Sequence, residues 1–262
     1  MMPANYTVAL AKGQGMPSET ILLLSTWQEG MSAVDLKRHV IANGLLPKAT
    51  NSRTSDLVSR VFAPRYLTNG ATAAKNLKQL LALNFPAERL LQIFLIYTAR
   101  ANLILRDFIT DVYWPHYIAG SRVLQRQDAL DFIKSARAAG HMPTNWSEAM
   151  KTKMTRYLLS ALTDFKLTRD EPQSRREIVP FNIQPTTTLY LAHEAHFSGL
   201  SDHAVLSHTD WKLFGLDHHK VLEELRKIAD EGHFIVQFSG DLLRVSWKYK
   251  TMEECLDGIA QR

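Results

Sequence analysis

The chain has 262 residues, 45% of them hydrophobic and 22% charged, a composition that excludes a disordered or fibrous protein and a length that allows one large domain or two smaller ones. Its single cysteine, Cys255, excludes an internal disulfide and fits a reducing, cytoplasmic setting. The net charge of +5 is unevenly spread: residues 1–80 carry nine bases against four acids, 81–170 twelve against eight, and 171–262 ten against fourteen. A basic front and an acidic back suit a polyanion at one end and a protein partner at the other, although a solvated surface with chance asymmetry gives the same count.

The opening Met1-Met2-Pro3-Ala4-Asn5 has neither a basic nor an apolar region of the kind a signal peptide needs, so none is expected. Up to about Gly70 the chain reads as short helices. Ser18-Glu19-Thr20 opens an apolar run from Ile21 to Trp27, which stops at Glu29-Gly30. Ser32 with Asp35 three residues on resembles a capping box ahead of a helix carrying Val34, Lys37, Arg38 and Ile41, ended by Asn43-Gly44. A turn from Leu45 leads to a second capped start, expected at Ser52. The helix beyond it turns Leu57, Val58, Val61 and Phe62 inward. Arg53 and Arg60, seven residues apart, share an outer face. Helix, turn and arginine-bearing helix are the outline of a helix-turn-helix unit. Any helical hairpin shares that outline, and the plainer reading of the two arginines is a solvated face.

From Thr72 to Phe165 the pattern is long helices. The most apolar stretch, Leu90 to Phe108, is interrupted by Arg100, Arg106 and Asp107. A charge near a bilayer centre costs roughly 2.5–3.5 kcal/mol, so a buried central helix is expected rather than a membrane span. Pro115 limits that segment. Asp128 to Ala139 is a helix ended by Gly140. Thr144 caps a helix reaching Phe165, with Met150, Met154, Tyr157, Leu158 and Ala161 at helical spacing and Lys151, Lys153 and Arg156 on the outer side. Residues 168–186, punctuated by Pro172, Pro180 and Pro185, read as a linker. Beyond it come a helix from Thr187 to Phe197, a start at Ser201-Asp202, and a helix capped by Asp217 and closed by Gly232. Two strand-like runs flank Ser239-Gly240-Asp241 as a β-hairpin, and Thr251 with Glu254 caps a last helix. The expected fold is mainly α, a multi-helix bundle. A helix-turn-helix-like domain spans 1–70, a central helical bundle 71–167, and a C-terminal winged-helix-like region with one β-hairpin 168–262.

Motifs that carry catalysis are missing: no Walker loop, no G-x-S-x-G elbow and no dinucleotide fingerprint. His193 and His196 are three apart, where a zincin sets its histidines four apart around a general-base glutamate. His203, His208, His218 and His219 follow no ligand spacing, so packed or exposed imidazoles are the simpler reading. Asp107 and Asp111 share a helix face and could hold magnesium in a nuclease, but an ion pair of Asp107 with Arg106 accounts for the first of them. Cys255 reads as an inert thiol. No enzyme, cofactor, metal or small-molecule substrate is expected.

Several blocks together resemble one family. They are Ala101 to Phe108 (ANLILRDF), Tyr113-Trp114, Asp128 to Phe132 (DALDF), Trp146-Ser147-Glu148, Leu158 to Phe165, His208 to Leu216 (HTDWKLFGL), Ser246-Trp247 and Met252-Glu253-Glu254. The chain is similar in these to the BrxA family of BREX (bacteriophage exclusion) systems, once catalogued as inner-membrane proteins of unknown function. The likeness runs from about Met16 onward, and the H-x-D-W-x-L-F-G-L block is its most specific part. It implies a mostly helical, non-catalytic member of a phage-defence gene cluster that binds double-stranded DNA, with a bundle similar to an RNA-binding antitermination factor. It carries over no catalytic residues, and Arg100 and Arg106 speak against the membrane label.

The bases then form the expected binding surface: Lys37, Arg38, Lys48, Arg53, Arg60, Arg65, Lys75 and Lys78, helped by Lys151, Lys153 and Arg156. Contacts to phosphates make such binding tolerant of sequence and sensitive to salt. No cluster of aromatics interleaves the charges, which favours duplex over stacked single strands. Expected partners are double-stranded DNA and other BREX proteins, without a membrane. The alternatives are a protein-interaction adaptor docked through the acidic C-terminal third, an RNA-binding protein, or a metal-dependent nuclease.

Overall fold

Several helix starts in this chain are set by side-chain oxygens that accept the unpaired amides of a first turn. In the computed structural model, residues 5–142, 146–172, 175–239 and 242–261 are described. A short 3-10 turn, Ala9–Lys12, precedes α1 (Pro17–Thr26), which opens on a proline whose missing N–H costs nothing there. Ser32 caps α2 (Ala33–Ala42): its hydroxyl oxygen accepts the Asp35 amide at 3.2 Å and donates to the Asp35 carboxylate at 2.6 Å. The cap of α3 (Asn51–Asp56) is Thr50 and not Ser52, because Thr50 holds extended backbone while Ser52 already lies inside the helix.

α3 continues into a wide π turn, Leu57–Phe62, and then α4 (Ala63–Tyr66), with Pro64 in its first turn. A proline ring clashes with the carbonyl four residues back and has no N–H to give it. A widened turn removes that demand without ending the helix. After α5 (Thr72–Ala82) and α6 (Leu91–Ala101) the same device returns. α7 (Leu103–Phe108) passes through a π turn, Ile109–Tyr113, into α8 (Trp114–Ile118), which carries Pro115. Helical structure thus runs past the proline expected to limit it. The apolar stretch is interrupted instead at Asn102, whose backbone is non-helical and whose side-chain amide donates to the Thr98 carbonyl at 2.9 Å. Ile93, Phe94, Leu95, Ile96, Ile104 and Leu105 on it are buried. Among the described residues no helix is long and apolar enough to cross a membrane.

Two compact units result: Met1–Lys75 with Phe94–Phe181, and Asn76–Ile93 with Asn182–Arg262. The first unit also holds α9 (Arg126–Ala138), α10 (Glu148–Asp164) and a small antiparallel sheet. That sheet joins β1 (Val123–Leu124), β2 (Thr168–Glu171) and β3 (Arg175–Ile178) in the order β1-β3-β2. Ser147 caps α10; Thr144, the expected cap, lies outside the described residues. The sheet occupies part of the expected linker. β2 and β3 lack apolar alternation, and charge pairs face each other across them: Arg169 faces Glu177 and Asp170 faces Arg176 in register, with ion pairs at 3.3 and 3.0 Å.

The second unit is built on α11 (Pro185–Phe197), α12 (Asp202–Leu206), α13 (His218–Asp230), the hairpin β4 (Phe234–Ser239) and β5 (Leu242–Trp247), and α14 (Met252–Ala260). Ser201, Asp217 and Thr251 cap α12, α13 and α14, as their sequence positions predicted. Val221, Leu225 and Ile228 bury one stripe of α13. The His208–Leu216 block folds as a 3-10 turn closed by Gly215 in the left-handed region, φ 68°. Trp211 is buried there and its indole N–H donates to the Val205 carbonyl at 2.7 Å.

Candidate nucleic-acid interface

A group of cations, Lys12, Arg53 and Arg60, surrounds α3. Arg53 reaches back to the Lys12 carbonyl at 2.5 Å and to the Met16 sulfur. Asp56, one turn on, accepts Lys12 Nζ at 2.8 Å and pairs with Arg60 Nε at 3.3 Å. The Lys12 ammonium beside it holds the Asp56 carboxyl below the usual range. Lys12 and Arg60 share that carboxylate and Arg53 lies near it, so the cluster keeps surplus positive charge, with Arg60 63% exposed. Lys12 was not among the expected site residues. It sits on a 3-10 turn with no helical period to point it outward, and only its addition to the local charge count marks it.

Lys48, exposed on the α2–α3 connection, and Arg53 edge an apolar cleft of about 430 Å³ walled by Leu22, Leu45, Leu46 and Leu57. That connection, residues 43–50, is longer than the three or four residues of a simple helix-turn-helix turn. On α2, Lys37 is half-buried and exposed Arg38 pairs with Asp35 at 3.2 Å. Lys75 pairs with Glu29 at 2.6 Å. Lys153 and Arg156 are exposed on α10, with the Arg156 guanidinium 5.2 Å from the Tyr157 ring centroid. α10 packs against the Ala9–Lys12 turn, and that turn packs against Leu57–Phe62, so Lys12 lies between the two basic helices. Lys78 is half-buried in the second unit.

Two expected surface bases are inside. Arg65 is 3% exposed. It donates to the carbonyls of Gly13 and Gln14 at 2.7 Å and of Gly15 at 3.3 Å. The turn it holds is pinned from the other side by Asp164, which accepts the Gly15 amide at 2.9 Å. A Cβ at Gly15 would come within 2.5 Å of the Asp164 Cβ, so only glycine fits. Lys151, with a side chain 7% exposed, lies against α10 and ends on Glu148 at 2.6 Å. It belongs to the buried stripe of Met154, Thr155, Leu158 and Leu162, and three- and four-residue spacing from Met154 and Thr155 could have shown this.

His193, His196 and Asp107 are engaged in local contacts. His193 is fully buried, with Nδ1 2.9 Å from the Leu189 carbonyl oxygen and Nε2 without a hydrogen-bond partner. It is ringed by Phe197, Phe234, Trp247 and Tyr249, and burial pulls its pKa down to about 4. His196 stacks on Trp247 at 4.3 Å between centroids. Asp107 divides its oxygens between Arg106 Nε at 2.8 Å and the Tyr6 hydroxyl at 2.7 Å. Among the described residues no three or more of His, Cys, Asp and Glu are grouped to hold a metal ion.

A family model described as BrxA matches residues 4–195. The chain belongs to the BrxA family. With the family comes an association with BREX phage-defence systems. The match takes in the whole cation cluster and both buried bases, and it stops short of the His208–Leu216 block on which the sequence resemblance leaned most. This BrxA-family chain is also similar in fold to an uncharacterized protein from Magnetospirillum magneticum, known from its crystal structure. The TM-score is 0.58 and the identity 17%, over 74% of this chain and 95% of the other. No curated protein matches the sequence.

Proposed function

We propose that this BrxA-family chain is a non-catalytic, cytoplasmic component of a BREX system that binds duplex DNA mainly through its phosphates. The observation that carries the reading is the Lys12, Arg53, Asp56 and Arg60 cluster, where cations outnumber carboxylates on an exposed helix face. Lys48 lies on the adjoining connection, and Lys153 and Arg156 on the helix packed against the Lys12 turn. Arg65 and Lys151 do not belong to this surface, since their charges are used inside the unit. In this reading the helix-turn-helix-like residues 1–70 meet the duplex, the bundle of 71–167 supports them, and 168–262 carries the winged-helix-like part.

Fluorescence anisotropy on two unrelated duplexes at two salt concentrations tests it. About four phosphate contacts correspond to a log–log salt slope of about −3.6. Arg53→Glu with Arg60→Glu should lower affinity by similar factors on both duplexes and flatten that slope. Unchanged affinity in the double variant overturns the assignment, and tighter binding to RNA of the same length turns it toward the antitermination-like alternative. The adaptor reading draws on the four-charge excess of acids over bases in residues 171–262. Capture of another BREX protein that survives the double variant, by a chain that binds no DNA, would favour it.

A further inference from the structure

The β4–β5 hairpin has one packed face and one open face. Phe234 and Val245 are buried on the inner side. Asp202 fastens that side by accepting the Val245 amide at 2.8 Å and the Trp247 indole N–H at 3.2 Å. The register pairs Ile235 with Ser246 and Gln237 with Arg244. All four are exposed, Ile235 at 61%. Gln237 and Arg244 therefore stand side by side on a two-stranded ribbon. Neither side chain has an ion pair or hydrogen bond among the described residues. Lys248 and Lys250 are exposed just past β5, and no carboxylate lies between His233 and Lys250 among the described residues; Asp241 falls outside them.

We infer that this open face reads base edges in the major groove of duplex DNA, with Arg244 taking a guanine and Gln237 a neighbouring adenine. The groove, about 12 Å wide, admits a two-stranded ribbon, and arginine to guanine O6/N7 and glutamine to adenine N6/N7 are the pairings that side-chain geometry favours. Ile235 offers an apolar contact of the kind a thymine methyl accepts, while Lys248 and Lys250 suit the flanking phosphates. Ribbon-borne readout is an established way to enter a groove. The inference rests on the duplex-binding reading and adds to it a sequence preference located in the second unit.

The test is selection of the full-length chain on a randomised duplex library, with sequencing of the bound pool. The wild type should enrich a short motif containing guanine and adenine. Arg244→Lys keeps the charge but loses the two-pronged geometry, and should cut discrimination at the guanine roughly fivefold or more while leaving non-specific affinity within about twofold. Gln237→Ala should flatten the adenine position alone. Arg53→Glu with Arg60→Glu should weaken overall binding and leave the motif intact. Thermal unfolding of each variant verifies that the hairpin is folded. A wild-type pool without enrichment, or an unchanged guanine preference in folded Arg244→Lys, overturns the inference and leaves phosphate binding standing. A wild type that binds no duplex at all overturns both.

Discussion

Replacing Arg65 with methionine separates a cation that holds the fold from one that holds DNA. The guanidinium makes two hydrogen bonds of 2.7 Å and one of 3.3 Å to three successive carbonyls. Hydrogen bonds to a charged group contribute about 1.5–3 kcal/mol each. Counting only the two short ones at the low end gives about 3 kcal/mol. Methionine retains a buried stem and removes a desolvated charge, which returns part of that, so a net destabilisation of about 2 kcal/mol is expected. Urea unfolding followed by circular dichroism should show a lower midpoint at unchanged slope. Duplex affinity, measured well below that midpoint, should stay within about twofold of wild type. A midpoint equal to wild type together with a tenfold loss of DNA affinity would refute the clamp and return Arg65 to the binding surface.

Gly15→Ala drives a Cβ into Asp164 at 2.5 Å, and overpacking of this kind costs about 1–3 kcal/mol; a thermal midpoint equal to wild type would show that the turn has room to move. His193 is neutral when buried, with a pKa pulled from 6.5 to about 4. The unfolded chain therefore binds the extra proton, and stability is lost as pH falls from about 6.5 to 4, by up to about 3 kcal/mol. His196 and His233 are shifted in the same direction by burial and steepen the loss. Urea midpoints at a series of pH values check this: His193→Leu should flatten the acid limb, and an equally steep limb would place the titrating group elsewhere.

The parts of the fold that could be read from sequence are those set by near neighbours. Ser32, Ser201, Asp217 and Thr251 each cap a helix through an amide two or three residues on, and that pattern stays local. The hairpin register follows from alternation within a dozen residues. β2 and β3 were missed because no apolar alternation marks them, and their facing pairs, Arg169–Glu177 and Asp170–Arg176, exist only once the strands meet. Arg65 was misplaced for a similar reason. It counts with the other bases of the front by charge alone, and its three carbonyl partners lie some fifty residues back along the chain, where no local pattern records them. Lys12 entered the candidate site through the return of a distant loop onto α3, which no spacing along the chain records.

The π turn of residues 57–62 means that the α3–α4 rod carries one residue more than an ordinary helix of its length would. Deleting a single residue there would let the rod close up into regular geometry. All that follows would keep its angle and rise, since the wide turn already fits its extra residue into the sweep of an ordinary helix. Arg65 would stay on the loop it holds, and Tyr66 in its pocket beside Phe62 and Phe94. The strain would fall on Pro64, whose ring meets the carbonyl four residues back once the helix is regular, so a deletion here should be tolerated only together with replacement of that proline.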